Sequence, residues 1–278
     1  MTEKFTIFGG TGFIGSNLSQ YLESIGYQVS KPDIRKEGIP EKNLGNAVYC
    51  IGVPNFLENP LGAIEAHSCL VKKILEKTKF DSFLYISSGR IYYNFCKTTK
   101  EDNEITIKPH EKNDLYNISK ALGESACISS KKENVKIIRP SNVTGNSFNS
   151  NLFIPSIIKE SIQKNKVKIF STLDSEKDYI LIDDLTHIIP KILFEGKEII
   201  YNVAKGENTT VKEIMDKIID ETKCELEIDK NAKKFSPMQI DIDRITKEFN
   251  FKPKSIVDEL PNIIKVFKKW NNSKSLEI

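Results

Sequence analysis

The order of apolar and polar positions along the chain predicts alternating strands and helices. Compact apolar runs are typical of buried strands, whereas apolar residues that recur every third or fourth position indicate amphipathic helices. Strands are predicted at residues 5–8, 46–53, 82–88, 135–143, 179–185 and 199–204. Helices are predicted from Ile14 to Ile25 and at residues 60–78, 115–129, 154–165 and 210–223. This alternation predicts an α/β fold with a doubly wound parallel sheet.

Two stretches depart from the regular alternation. Between Asp33 and Asn46 the chain is too short for a helix and a further strand, so we expect one βα unit to be missing or reduced there. Residues 94–114 are mostly polar and are expected to form a long loop over the surface. Loops of this length often carry function.

The composition and charge of the chain are typical of an ordinary soluble globular protein. The chain has 278 residues, of which 39% are apolar and 28% are charged, and its formal net charge is +3. So small a charge favours neither nucleic acid nor a membrane surface as a partner. No apolar run approaches the ~18 residues of a membrane-spanning helix, and the N-terminus resembles a strand rather than a secretory signal. The five cysteines are scattered without a CxxC pair, so we expect reduced thiols, a cytoplasmic location and no metal site.

A glycine-rich turn follows the first predicted strand. Gly9, Gly10, Gly12 and Gly15 lie on the turn from that strand into the first helix, and they fit a dinucleotide-binding pattern in two overlapping registers. In such turns the glycines admit a pyrophosphate to the backbone, and the helix N-terminus supplies free N–H groups. We therefore divide the chain into a dinucleotide-binding core at residues 1–145 and a smaller lobe at 146–278. This lobe is expected mainly to bind substrate, with strands that return to the core sheet.

An acidic residue about 20 positions after the turn is the second part of this pattern, because it holds the ribose hydroxyls. Asp33 lies at that place. Arg35 and Lys36 follow it and are equally suited to a 2′-phosphate, so the sequence leaves NAD and NADP as alternatives.

Candidate chemistry lies in two short segments. Ser87 and Ser88 end a predicted strand, which is where ligands bind in open α/β sheets. Tyr116 and Lys120 are one helical turn apart and share a face. An ammonium beside a phenol favours the phenolate, so we expect a lowered pKa for Tyr116 and a role in acid–base catalysis.

These segments together resemble the extended short-chain dehydrogenase/reductases, in particular the NAD-dependent epimerase/dehydratase family that acts on nucleotide sugars. The matching segments are GGTGFIG, Ser88 before Tyr92, Tyr116-x-x-x-Lys120 with Glu124, RPSNVTG and KDYILIDDL. The resemblance implies a Rossmann fold, an NAD(P) cofactor and a homodimer. It implies catalytic roles for Ser88, Tyr116 and Lys120. It implies cofactor contacts from Gly9, Gly12, Phe13, Ile14, Gly15, Asp33, Arg35, Gly52, Tyr116, Lys120 and Pro140. It implies contacts to a nucleotide-diphosphate sugar from Ser88, Arg90, Asn142, Phe153 and Lys177.

Several positions differ from the usual family pattern. Tyr49–Val53 replaces a His-Leu-Ala-Ala segment, His67 replaces an asparagine, and Lys177 replaces the arginine that grips the diphosphate. Gly89 and Arg90 stand where dehydratases of the family carry Asp-Glu. The resemblance therefore leaves a 4-keto-(6-deoxy)sugar reductase, which the short chain favours, or a 4-epimerase. A dinucleotide sensor without catalysis is a third reading, which the retained Tyr116 and Lys120 disfavour.

Overall fold

The computed structural model of the protein describes residues 3–53, 55–147, 150 and 152–275. The strands are β1 Lys4–Phe8, β2 Gln28–Ser30, β3 Asn46–Tyr49, β4 Ser82–Ile86, β5 Val135–Pro140, β6 Asn142–Thr144, β7 Lys166–Ser171, β8 Glu176–Leu181, β9 Ile200–Val203, β10 Asn208–Thr210 and β11 Glu225–Lys233. The helices are α1 Phe13–Ser24, α2 Pro60–Ile64, α3 Leu70–Lys77, α4 Leu115–Ser129, α5 Phe153–Gln163, α6 Ile182–Glu195, α7 Val211–Thr222, α8 Asp243–Phe249 and α9 Ile256–Ser275. A π-helical turn, Glu65–Cys69, joins α2 to α3, and 3-10 turns lie at Gly89–Tyr92 and Lys112–Asp114.

Six strands form a parallel central sheet in the order β2-β1-β3-β4-β5-β9. One face packs on α1 and α6 and buries Val48 and Leu84. The opposite face packs on α3 and α4 and buries Tyr49 and Tyr85. Neighbouring residues of one strand thus point into opposite helical layers, as a sheet covered on both faces requires. The predicted doubly wound α/β fold is confirmed.

The expected reduction of one βα unit is also confirmed. Both β2 and β3 pair in parallel with β1, on opposite sides of it. The connection between them, residues 31–45, contains turns but neither a helix nor a strand. The sheet consequently ends at β2, which leaves this edge narrower than in a fold with the complete unit.

The C-terminal part is built around smaller sheets. Strands β10, β8 and β6 form one of them, and β11 pairs with β7 in the other. Helices α5, α7 and α9 cover a second core that includes Ile158, Ile214 and Leu260. Among the described strands after residue 145, β9 returns to the central sheet, whereas β7, β8, β10 and β11 lie in the smaller sheets.

The predicted strand at residues 179–185 is wrong beyond Leu181. There β8 ends and α6 begins directly at Ile182, with Asp183 and Asp184 in its first turn. Carboxylates are favourable at that place because the N–H groups of a helix N-terminus are unpaired. Ile182 and Leu185 belong to a helical spacing that packs on the central sheet.

The polar segment at residues 94–114 is only partly a surface loop, because its centre is buried. Thr99 and Glu101 are almost fully enclosed. The Glu101 carboxylate accepts a hydrogen bond from the backbone N–H of Asn202 at 3.0 Å, and the Thr99 carbonyl accepts one from the Asn202 side chain at 2.8 Å. The loop is therefore fastened to the carboxyl end of β9.

Candidate active site

The segments that carry candidate chemistry meet at one edge of the central sheet. Because the strands are parallel, the carboxyl ends of β1, β3, β4 and β5 lie side by side. The glycine turn follows β1, Cys50–Val53 follows β3, and Ser87–Ser88 follows β4. Strands β3 and β4 are shorter than predicted, so these residues are free to form the floor of a site.

The turn after β1 has two glycines that other residues would not replace. Gly9 has a φ of +79°, a left-handed conformation that favours glycine. A Cβ on Gly15 would lie 2.2 Å from the Gly9 carbonyl oxygen, which only a displaced backbone would tolerate. Helix α1 begins at Phe13 with Gly12 as its N-cap and without a side-chain cap, and Ile14 follows in its first turn. The unpaired N–H groups of this first turn suit a phosphate.

The Asp33 carboxylate, which was expected to hold the cofactor ribose, is engaged within its own turn after β2. Asp33 is exposed, and its carboxylate accepts the backbone N–H of Arg35 at 3.2 Å and lies 3.7 Å from the Lys36 ammonium. Asp33 therefore closes its own turn. Lys31 was missed by the sequence argument, yet its side chain covers Gly10: a Cβ there would lie 2.6 Å from Lys31 Cγ. Lys31 directly follows β2, and this position in the sequence could have indicated that its side chain lies near the glycine turn.

Tyr116 and Lys120 lie on α4 as the sequence predicted, and the structure brings Ser88 to them. The Ser88 side chain lies near enough to the Tyr116 phenol to lower its pKa. The Lys120 ammonium is 6.0 Å from the Tyr116 ring centroid and donates to the Ile86 carbonyl at 2.9 Å. The three side chains thus form one cluster at the end of β4.

The expected lowering of the Tyr116 pKa by Lys120 is wrong in this structure. Burial raises the pKa of Tyr116, and the Ser88 side chain and the charge of Arg90 offset only part of this. Burial also lowers the pKa of Lys120 to about 8, against the opposing effect of Glu124. Desolvation therefore outweighs the ammonium–phenol attraction that the helical spacing suggested.

His67 is a buried linker between two parts of the site. The backbone N–H of Val53 donates to its Nε2 at 3.1 Å, so the proton lies on Nδ1, which is 2.9 Å from the Ser119 hydroxyl. Burial and the charge of Lys120 lower its pKa to about 3, so the ring is neutral. It also contacts Tyr116 edge-on, with 5.1 Å between centroids. His67 therefore ties the segment after β3 to α4.

Gly52 and Pro140, two further expected cofactor contacts, border this linker and the turn after β4. A Cβ on Gly52 would lie 3.7 Å from Nε2 of His67. A Cβ on Gly89 would lie 3.2 Å from the Pro140 carbonyl oxygen. The ends of β3 and β5 therefore approach the site closely through their backbones.

A buried ion pair supports the site from below. The Arg139 guanidinium binds the Glu124 carboxylate through two bonds of 2.6 and 3.0 Å. Ser87 donates to the same carboxylate at 2.5 Å, and Arg139 also donates to the Tyr92 hydroxyl at 2.6 Å. This network joins the ends of β4 and β5 to α4. Arg139, the first residue of the RPSNVTG segment, therefore has a structural role: it holds Glu124 and Tyr92 together.

Arg90 lies beside the Tyr116 phenol. Its guanidinium carbon is 5.3 Å from the Tyr116 ring centroid and 4.9 Å from that of Phe56, and Nη2 donates to the Asn113 carbonyl at 3.1 Å. Its Nε is buried and has no hydrogen-bond acceptor among the residues that the structure describes. Phe56 was missed because it lies in an irregular segment without a periodic pattern.

The other expected substrate contacts lie further out, at the C-terminal lobe. Lys177 lies 5.2 Å from the Phe235 ring centroid, and burial and the charge of Arg90 both lower its pKa. Phe153 lines a small cavity with Lys177 and Phe235. Asn142 uses its amide group to hold the Tyr93 hydroxyl at 3.1 Å and the Asp178 carbonyl at 2.8 Å. Its nitrogen is therefore already committed to the protein.

Two general expectations concern the whole chain. All five cysteines are free thiols. Across the described ranges, no helix is both long enough and apolar enough to cross a membrane.

Comparison with known proteins identifies the sequence family. The family model for the NAD dependent epimerase/dehydratase family matches residues 46–204, which is more than half of the chain. The match includes the segments that carry Ser88, Tyr116, Lys120 and Arg139.

Two curated relatives are similar over most of the chain. GDP-6-deoxy-D-mannose reductase of Pseudomonas aeruginosa is 26% identical over 257 residues, covering 82% of this chain and 83% of the relative. GDP-6-deoxy-D-talose 4-dehydrogenase of Aggregatibacter actinomycetemcomitans is 23% identical over 254 residues, with the same coverage of both chains. Among solved structures, RMD from Pseudomonas aeruginosa complexed with NADPH has a TM-score of 0.78 at 20% identity, covering 96% of this chain and 99% of that one. This last likeness shows the fold.

Proposed function

Because the chain belongs to the NAD-dependent epimerase/dehydratase family, we propose that it is an NAD(P)-dependent oxidoreductase that reduces a 4-keto-6-deoxy nucleotide-diphosphate sugar. The observation that carries this proposal is the cluster of Ser88, Tyr116 and Lys120 at the carboxyl edge of the sheet. The two curated relatives act, by their names, as a reductase and a 4-dehydrogenase of GDP-linked 6-deoxy sugars.

A dinucleotide fits the turn after β1. A Cβ on Gly15 would meet the Gly9 carbonyl, so this glycine lets α1 pack closely against the turn, as the third glycine of a dinucleotide-binding turn does. We propose that Gly9, Gly12, Phe13, Ile14 and Gly15 hold the pyrophosphate. We assign the remaining cofactor contacts to Asp33, Arg35, Gly52, Pro140, Tyr116 and Lys120. When bound, the cofactor supplies the hydride.

Each member of the triad has a separate task. Tyr116 donates a proton to the carbonyl oxygen at C4, Ser88 hydrogen-bonds to that oxygen, and Lys120 holds the nicotinamide ribose. Ser88 lies beside the Tyr116 phenol, so an oxygen bound between them would meet both hydroxyls. The surrounding burial keeps Tyr116 protonated until the substrate needs its proton.

The charge distribution supports an anionic substrate. Arg90 and Lys177 form no ion pair with a carboxylate in the described part of the chain. The two positive charges repel each other, and the charge of Arg90 lowers the pKa of Lys177. A nucleotide diphosphate would relieve this repulsion. We therefore propose that the substrate-binding residues are Ser88, Arg90, Asn142, Phe153 and Lys177. Because the side-chain nitrogen of Asn142 is already bonded within the protein, its side-chain carbonyl oxygen would face the ligand.

We further propose a cytoplasmic homodimer. The free thiols are typical of a reducing compartment. Leu57, Leu61 and Leu122 are exposed apolar residues in the segment before α2, in α2 and in α4. A second copy of the chain would cover them. Because α4 also carries Tyr116, such an interface would support the active site.

The test is turnover by the purified protein. NADPH and NADH are each mixed with a GDP-linked or dTDP-linked 4-keto-6-deoxy sugar, and loss of the reduced nicotinamide absorbance is followed. We expect oxidation of the cofactor, and we expect Tyr116→Phe to lose about 10²–10⁴-fold in kcat while retaining cofactor affinity.

Other outcomes are separable in the same assay. Cofactor binding without net oxidation, but with exchange of C4 stereochemistry in a nucleotide sugar, would identify the 4-epimerase instead. Cofactor binding without any change in the sugar would identify a sensor. Full activity of Tyr116→Phe would remove this residue from the mechanism.

A further inference from the structure

A second phenol, that of Tyr93, lies in the site beside the triad and has no role in the contacts proposed so far. We propose that Tyr93 and Asn142 together bind the sugar hydroxyl at C3 and so determine which sugars the protein accepts. Tyr93 donates a hydrogen bond to this hydroxyl, and the side-chain oxygen of Asn142 accepts one from it. The inference rests on the proposed function for the class of ligand.

Tyr93 lies between the two parts of the site that would hold opposite ends of the sugar. Its backbone N–H donates to the Arg90 carbonyl at 2.9 Å, and the Arg90 guanidinium carbon is 5.3 Å from the Tyr116 ring centroid. On the other side, the Tyr93 ring packs edge-on against Phe235, with 5.2 Å between centroids. The Lys177 ammonium lies 5.2 Å from the same Phe235 ring. The half-buried Tyr93 therefore joins the catalytic cluster to the end proposed for the diphosphate.

The hydrogen bonds of Asn142 show that the Tyr93 hydroxyl has a hydrogen to donate. The Asn142 side-chain nitrogen is 2.8 Å from the Asp178 carbonyl oxygen and 3.1 Å from the Tyr93 hydroxyl oxygen. A carbonyl oxygen only accepts, so the atom of Asn142 that faces Asp178 must be the nitrogen, and this nitrogen also donates to Tyr93. The Tyr93 oxygen is thus the acceptor, and among the described residues none accepts its hydrogen.

The Tyr93 phenol also keeps its proton at neutral pH. Burial raises the pKa of Tyr93, and the Asn142 hydrogen bond and the charge of Arg90 offset only part of this rise. A negative charge on Tyr93 would in turn raise the pKa of Tyr116, because the two phenols lie close enough to repel as anions. Tyr93 is therefore a neutral donor next to the group that exchanges the proton.

The pair presents a donor and an acceptor side by side, which matches a hydroxyl group rather than a phosphate. The Asn142 side-chain oxygen shares a carbon with the nitrogen that is bonded to Tyr93, and no described residue donates to that oxygen. A sugar hydroxyl both donates and accepts, so it satisfies both partners. A phosphate oxygen only accepts, and the amide oxygen would repel it. The diphosphate therefore remains with Arg90 and Lys177.

The order of groups around the sugar ring favours the C3 hydroxyl. In a hexopyranose whose C1 carries the diphosphate, the reacting C4 lies across the ring from C1. One edge between them carries the hydroxyls at C2 and C3, whereas the other edge of a 6-deoxy sugar has the ring oxygen and a methyl group. C3 is bonded to C4, and Tyr93 is coupled to Tyr116, which acts at C4. The hydroxyl next to the reacting carbon is consequently the one that Tyr93 meets.

The test measures binding of the sugar without turnover. Affinities of GDP and of a GDP-linked 6-deoxyhexose are determined by calorimetric titration without cofactor, and the dTDP-linked pair is titrated in parallel. Tyr93→Phe removes one hydroxyl and keeps the ring that packs on Phe235. We expect the affinity of the sugar nucleotide to fall roughly three- to tenfold, as loss of one neutral hydrogen bond does, and that of the nucleotide alone to change by less than about twofold.

A substrate analogue and two variants provide the controls. The nucleotide-linked 3,6-dideoxyhexose lacks the C3 hydroxyl, so wild type and Tyr93→Phe should bind it equally. Tyr27→Phe removes a hydroxyl from a ring that packs on Phe5 and Phe194, away from the site, and should leave every affinity within about twofold. Lys177→Met should weaken the nucleotide and the sugar nucleotide alike, because its charge serves the diphosphate.

The outcomes separate this inference from the proposed function. Equal affinity of wild type and Tyr93→Phe for the 6-deoxyhexose nucleotide would overturn the contact, and so would an equal loss for the nucleotide alone. A loss that persists with the 3,6-dideoxyhexose would overturn the assignment to C3. The expected binding changes without any oxidation of the reduced cofactor in the turnover assay would overturn the reductase and leave the contact standing.

Discussion

Burial governs the chemistry of individual side chains at this site more than charge does. Tyr116, Lys120 and His67 all have pKa values displaced by desolvation in the direction of the neutral form. Below them, Glu124 and Arg139 remain an ion pair because each provides the other with direct bonds. The buried Glu124–Arg139 ion pair therefore lies beneath side chains whose charged forms burial disfavours.

Loss of Arg139 should strand the buried Glu124 carboxylate. We expect Arg139→Met to lower the free energy of unfolding by about 3–5 kcal/mol, since breaking one side of a buried pair leaves an uncompensated charge. Urea denaturation of the purified protein measures the change. The double variant Arg139→Met/Glu124→Leu should recover part of the loss, because it removes both charges.

An exposed pair provides the comparison. Lys72 and Glu76 lie 3.0 Å apart on the surface of α3. Lys72→Met should change the unfolding free energy by no more than about 0.5 kcal/mol. Equal effects of the Arg139 and Lys72 substitutions would show that the buried pair contributes no more than a surface one.

At the scale of elements, the sequence predicts what local spacing determines. The helix at residues 115–129 and the strand at 5–8 have strong periodic signals, and α4 and β1 confirm them. The junction at Ile182 was missed because α6 follows β8 without a turn and without a side-chain cap at Leu181. A continuous apolar run then conceals the change from strand to helix.

The turn between β1 and α1 is the element on which dinucleotide binding should depend. Alanine normally stabilises a helix relative to glycine by about 1 kcal/mol. At Gly15 the added Cβ would lie 2.2 Å from the Gly9 carbonyl oxygen, so the turn must open. We expect Gly15→Ala to weaken NADPH or NADH binding by at least about tenfold, measured by calorimetric titration.

The control for this prediction is Gln20→Ala, on an exposed position of the same helix. It should leave the dissociation constant within about twofold, because no backbone has to move. Unchanged binding in Gly15→Ala would mean that the close approach of α1 to the turn is not needed for the cofactor.

At the scale of the whole molecule, long-range contacts decide what the sequence alone leaves open. The triad residues could be predicted because they lie at the end of a strand and at a fixed helical spacing. The anchoring of Glu101 by Asn202, and the stacking of Phe56 on Arg90, join residues far apart in the chain with no local pattern. The sign of the Tyr116 pKa shift likewise depends on burial by several elements, which helical spacing does not report.

The exposed apolar residues of α2 and α4 should identify the quaternary structure. Leu61 is 78% exposed and Leu122 is 53% exposed, and neither helix is covered there by another described element. If a second copy covers them, Leu61→Glu/Leu122→Glu should convert a dimer into a monomer, because burying two carboxylates at an apolar contact is costly. Sedimentation equilibrium measures the mass.

A glutamate at a distant exposed apolar position tests whether the dimer depends on this interface or on nonspecific hydrophobic association. Phe170 is 70% exposed on β7 in the C-terminal lobe, and Phe170→Glu should leave a dimer intact. Since α4 also carries Tyr116, we expect monomerisation to reduce kcat more than it weakens cofactor binding. A wild-type protein that sediments as a monomer, or a double variant that remains dimeric, would place the contact elsewhere or remove it.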